Sequence, residues 1–145
     1  MGKPKYIETP ERLLDLFKQY VTHETENPMY KVEYVGKDGR IEKTPLATPI
    51  TFEGFECYLF ELEIISDLKD YASNKDGRYS DYAPIITHIR NHCFVHNFKG
   101  AAVKLFDPNL IARKLGIKDN QDVTTGGDKL NQPVTVRIVN GDSSN

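Results

Sequence analysis

The chain is expected to be mainly α-helical with a small β component. Three observations predict this. Capped helix starts precede apolar residues at helical spacing at Thr9, Thr51 and Asp107. One Asp-Gly turn is flanked by alternating residues. A single further alternating run comes only near the C-terminus. With 145 residues, 39% of them hydrophobic, one modest core is expected.

The first helix opens at Thr9-Pro10-Glu11, where threonine can cap, proline suits the first turn and glutamate complements the positive helix end. Leu13, Leu14, Phe17, Tyr20 and Val21 give it one apolar side. It should stop near Glu26, because Pro28 disfavours helix at Asn27. Residues 29–45 read as a β-hairpin: Tyr30, Val32 and Tyr34 alternate, Asp38-Gly39 turns the chain, and a short return strand runs Ile41 to Thr44 before Pro45.

Thr51 can cap a helix carrying Phe52, Phe55, Tyr58 and Leu59. A second series, Leu62, Ile65, Leu68 and Tyr71, follows closely. A break near Phe60-Glu61 makes a helix-turn-helix-like pair at about 51–74; one long helix is the alternative. Residues 72–81 read as a loop. The longest helix is expected from Pro84 to about Lys99, with Ile85, Ile86, Ile89, Cys93 and Phe94 on its apolar side and Gly100 ending it. Asp107-Pro108 starts a last helix, with Leu110, Ile111 and Leu115 inward and Gly116 as its stop. A linker, 119–132, leads to a lone strand in the 133–145 tail, where Val134, Val136 and Ile138 alternate with Thr135, Arg137 and Val139. That strand can join the hairpin or pair with copies of itself in other subunits.

The formal charge of -2 gives no bulk sign of a polyanion partner. Its distribution does. Residues 51–81 carry three Lys/Arg and eight Asp/Glu, whereas residues 82–118 carry six Lys/Arg and one Asp. The basic set is Arg90, Lys99, Lys104, Arg113, Lys114 and Lys118. Repeated by rotational symmetry, such a set becomes a ring of charge whose phosphate contacts add. Lys69, Lys75 and Arg78 are second candidates for DNA, in acidic company.

Enzyme signatures are missing: there is no phosphate-cradling GxxxxGK[ST], no HExxH, no GxSxG and no GxGxxG. No cofactor is expected, and no metal. His88, His92 and His96 recur every four residues, but each step rises about 6 Å, so the outer two cannot share one ion. A polar stripe is the simpler reading. Both cysteines, Cys57 and Cys93, read as buried free thiols. No apolar run reaches the roughly 18 residues of a membrane span, and the N-terminus has no apolar signal core.

The stretch from Phe98 through Gly100-Ala101-Ala102, Asp107-Pro108-Asn109, Ile111-Ala112-Arg113 and Leu115-Gly116-Ile117-Lys118 to Asp119 resembles the most characteristic segment of phage terminase small subunits. In that family's pattern, Gly-Ala and a short apolar run lead to Asn-Pro-Asn, Ile-Ala-Arg and Leu-Gly-Leu-Lys; Asp107 replaces the first asparagine. Thr51, Gly54, Phe55, Tyr58 and Leu59 resemble the opening of the family's helix-turn-helix, and Asp67, Leu68 and Tyr71 its second helix. The usual turn glycine is absent. The resemblance covers about residues 5–125.

It implies a non-enzymatic DNA-packaging adaptor in the host cytoplasm. Such a subunit assembles into a closed homo-oligomeric ring, binds viral double-stranded DNA and regulates the large terminase subunit, which holds the ATPase and nuclease. It also implies oligomerisation helices at about 84–116 and a C-terminal strand that can join an inter-subunit β-barrel. Ile85, Ile89, Cys93, Phe98, Ala101, Ala102, Val134, Val136 and Ile138 are the expected subunit contacts. Lys99, Lys104, Arg113, Lys114, Lys118, Lys69, Lys75 and Arg78 are the expected DNA contacts. The rival readings are a dimeric helix-turn-helix transcriptional regulator and a nuclease or metal-dependent hydrolase.

Overall fold

The computed structural model describes residues 4–117 in full, together with the backbone of 124–125 and 128–129. Helix α1 spans Pro10–Glu26. The antiparallel strands β1 and β2 span Met29–Val35 and Arg40–Leu46. Helix α2 spans Phe52–Glu61 and α3 Lys69–Ala72. Two 3₁₀ turns, Lys75–Gly77 and Ser80–Tyr82, lead into α4, Ala83–Ala102. Helix α5 spans Pro108–Leu115. Thr124–Thr125 and Asp128–Lys129 pair as two short strands, β3 and β4, inside the expected linker. The expected strand residues Val134, Val136 and Ile138 lie outside the described residues, as does Lys118.

The predicted caps form. The Arg12 N–H donates to Thr9 Oγ1, the Gly54 N–H to Thr51 Oγ1 and the Leu110 N–H to Asp107 Oδ1, each satisfying an orphan donor of a first turn. Leu13, Leu16, Phe17 and Tyr20 of α1 meet Phe55 and Leu59 of α2 and Ile86, Ile89 and Cys93 of α4 in one core. Phe17 lies edge-on to Phe55, with ring centroids 5.3 Å apart.

Three elements differ from expectation. The second helix of the 51–74 pair is a single turn, α3, and α2 ends at Glu61. Glu63 turns left-handed (φ 57°) and the Ile64 N–H returns to the Leu59 carbonyl. The Leu68 N–H is then taken by the Glu56 carboxylate, at 2.9 Å, rather than by a preceding turn. Second, α4 runs through Gly100 to Ala102. Third, strand β2 continues through Pro45 to Leu46; a two-stranded ribbon has free edges, which tolerate a proline without N–H.

The segment before α1 is clamped. Tyr71 Oη accepts from the Ile7 N–H at 2.9 Å, and Tyr82 Oη donates to the Ile7 carbonyl at 2.7 Å. Ile7, Tyr71 and Tyr82 are all buried, and burial pushes both phenols above their ordinary pKa. The Lys5 ammonium stands over the Tyr79 and Tyr82 rings. Tyr82→Phe therefore removes the stronger donor to a buried carbonyl. We expect it to cost about 1–2 kcal/mol in urea unfolding, whereas Tyr34→Phe in the exposed hairpin should change nothing measurable.

Candidate nucleic-acid interface

The basic segment folds as the end of α4, a tight connection and α5. Its geometry rests on Gly100. A Cβ on this residue would lie 2.2 Å from two ring carbons of Phe106, so the buried Phe106 ring occupies the place where any other side chain would begin. The N–H groups of Leu105 and Phe106 both donate to the Gly100 carbonyl. Lys104 adopts φ 61° to make this turn, a left-handed conformation that a non-glycine residue enters at a cost. Asp107 and Pro108 then start α5, and Gly116 ends it at φ 70°.

Lys99, Lys104 and Arg113 are exposed, and none has an ion-pair partner among the described residues. Lys114 differs: its Nζ lies 2.6 Å from Glu53 Oε1 on α2. That hydrogen bond, with a backbone bond, holds the Glu53 carboxyl below its ordinary pKa. The pair is exposed, so its stabilising worth is small. Arg90 covers the Phe52 ring, with its guanidinium carbon 5.0 Å from the centroid. Arg90 and Lys114 thus each contact α2, the first from α4 and the second from α5. Between Arg90 and Lys114 lies a cleft of about 270 Å³ into which Asn97 is packed; its Nδ2 donates to the Ile50 carbonyl at 2.8 Å.

The second candidates are scattered. Lys69 begins the single turn α3, and its N–H donates to Asp67 Oδ1. Lys75 pairs with Asp70 at 3.4 Å. Arg78 lies against the Tyr79 ring. Helix α3 has four residues and so cannot lie along a major groove as a recognition helix of several turns does.

The expected contact residues on α4 divide by burial. Ile89 and Cys93 lie in the core of this chain, Ile85 and Ala101 are half-buried, and Phe98 and Ala102 are exposed. The exposed side of α4 therefore carries Phe94, Val95 and Phe98 rather than Ile89 and Cys93. Spacing alone puts Phe94 inward because both sides of α4 are apolar; only the buried Ile86, Ile89, Cys93, Asn97 and Gly100 define its inner side.

Burial separates the two thiols. Cys57 is exposed, contrary to expectation, and Cys93 is buried, its pKa pushed up to about 11 by desolvation. Alkylation of the folded chain should modify Cys57 quickly and leave Cys93 unmodified. Mass spectrometry showing two rapid adducts would contradict this packing.

His88, His92 and His96 form a row on α4, with successive ring centroids 6.4 Å apart. His92 lies edge-on to Phe17, and burial with the two flanking histidines lowers its pKa. Among the described residues, no group of three or more His, Cys, Asp or Glu is placed to hold a metal ion. No described helix is long and apolar enough to cross a membrane.

No protein-family model matches the chain. The chain is, however, similar to the terminase small subunit of Salmonella phage P22, at 26% identity over 122 residues, which span 84% of this chain and 72% of that protein.

Proposed function

We propose that this chain is a small terminase subunit of a tailed phage. In this reading it is an oligomeric DNA-packaging adaptor that binds viral double-stranded DNA and regulates the ATPase and nuclease of a large terminase subunit. It catalyses nothing itself, needs no cofactor, and acts in the host cytoplasm. The observation that carries the reading is the similarity across 84% of the chain to a phage terminase small subunit. The α4–α5 unit supports it, because it carries three exposed cations: Lys99 on α4, Lys104 in the connection and Arg113 on α5. One copy offers few phosphate contacts, and a symmetric assembly multiplies them.

The dimeric regulator is the weaker reading, since its recognition helix would be the single turn α3. Native mass spectrometry of the full chain, with a DNA-binding titration, tests the proposal. The expected result is a closed oligomer larger than a dimer that binds duplex DNA and alters the ATPase rate of the cognate large subunit. A strict monomer or dimer at micromolar concentration, with no effect on that ATPase, would overturn it.

A further inference from the structure

The β1–β2 hairpin contributes nothing to the core of its own chain: all fourteen of its strand residues are exposed. Cross-strand pairing sets Tyr30 opposite Pro45, Val32 opposite Lys43 and Tyr34 opposite Ile41. Side chains two apart share a face. One face of the ribbon is therefore an apolar stripe of Tyr30, Val32, Tyr34, Ile41 and Pro45, broken only by Lys43. An isolated two-stranded hairpin is marginal in water. This one exposes an apolar face without covering it.

A second apolar surface lies on the outer side of α4 and the turn into α5. Phe94 and Phe98 stack there with centroids 6.1 Å apart, and Val103 and Leu105, each about two-thirds exposed, line one groove with Phe98. This almost wholly apolar groove of about 390 Å³ runs between Ala47, Phe98, Leu105 and Phe106. Ala47 directly follows the hairpin, and the Thr48 carbonyl lies 3.3 Å from His96 Nε2. The hairpin is thus rooted beside this groove.

We propose that the apolar stripe of one copy's hairpin packs on the α4–α5 surface of the next copy. The inference deepens the oligomeric reading above and rests on it. Each surface exposes on the order of 500 Å², counting roughly 150–250 Å² for a whole aromatic side chain. Covered completely, they bury about 1,000 Å², the lower bound for a biological contact. A hairpin meeting a second hairpin would leave the helical patch open, whereas a head-to-tail contact covers both surfaces in every copy. Two unlike patches on one chain form a heterologous contact, and such contacts close into rings when the rotation between copies permits. Lys99 and Lys104 are charged neighbours of the helical patch, which gives the contact the polar rim that interfaces have.

The test uses the full chain. In a variant carrying Tyr30→Ser, Val32→Thr, Tyr34→Ser and Ile41→Thr, only exposed side chains change, so the far-ultraviolet dichroism of the helices should be kept. The expected result in native mass spectrometry is dissociation of the assembly to monomers. A second variant, Val32→Cys with Leu105→Cys in a Cys57→Ser background, should oxidise to a ladder of covalently joined copies. A disulfide formed within one copy means that the hairpin covers its own chain, and it overturns the proposal. So do covalent dimers from Val32→Cys alone, or a hairpin variant that still assembles like the parent. If the parent chain itself stays monomeric, the oligomeric reading falls too; if the parent assembles and only these variants behave otherwise than expected, this contact alone is refuted.

Discussion

Gly100→Ala is expected to destabilise the chain by about 1–3 kcal/mol, the usual cost of forcing extra volume into a packed site. The sign makes this informative. Within a helix, glycine to alanine normally stabilises by about 1 kcal/mol, because alanine gives up less backbone freedom. Here the new methyl would meet the Phe106 ring at 2.2 Å, and the steric term wins. Phe106→Ala alone should also destabilise, by leaving a cavity beside Gly100. Combined with Gly100→Ala, its cost should be smaller than the two single costs added, because the new methyl enters the vacated space. A Gly100→Ala chain that melts higher than its parent would show that Phe106 does not sit there.

The second large effect concerns nucleic acid. Reversing Lys99, Lys104 and Arg113 together to glutamate should weaken duplex binding on the order of 100-fold or more at low salt. The slope of log affinity against log salt should shrink by about 0.9 for every phosphate that is no longer neutralised. Lys114→Glu should do less than any one of the three, since Lys114 is engaged by Glu53. Fluorescence anisotropy at several salt concentrations separates these outcomes, with the assembly state checked by mass in parallel. Unchanged affinity in the triple variant would remove the α4–α5 surface from consideration as the DNA-facing side.

Much of this arrangement is legible in the residues. Thr9, Thr51 and Asp107 act as caps because their side-chain oxygens reach a first-turn N–H, a local event that a sequence displays. The hairpin is local too, although its four-residue loop places both Gly36 and Gly39 at positive φ rather than using Asp38-Gly39 as the whole turn. The misses are long-range. Leu62, Ile65, Leu68 and Tyr71 keep helical spacing, but the chain buries only Leu68 and Tyr71 and leaves Leu62 exposed. A carboxylate twelve residues away, Glu56, satisfies the Leu68 N–H, and nothing near Leu68 announces it. Gly100 reads as a helix stop until Phe106 is seen to need the space. The same limit applies to interface residues: spacing marks the apolar positions of α4, but only packing tells Ile89, which faces this chain's own core, from Phe98, which faces out.

The clamp on Ile7 bears on how the protein is made. Its two phenol partners are encoded 64 and 75 residues downstream. At a synthesis rate of roughly 5–20 residues per second, the segment around Ile7 is made about 4–15 s before Tyr82 has been added. Through that interval the nascent N-terminus has no Tyr82 phenol to bond with, and its apolar side chains stand open to chaperones. Slowing translation just upstream of codon 82 should lengthen that exposure and leave the finished fold unaltered.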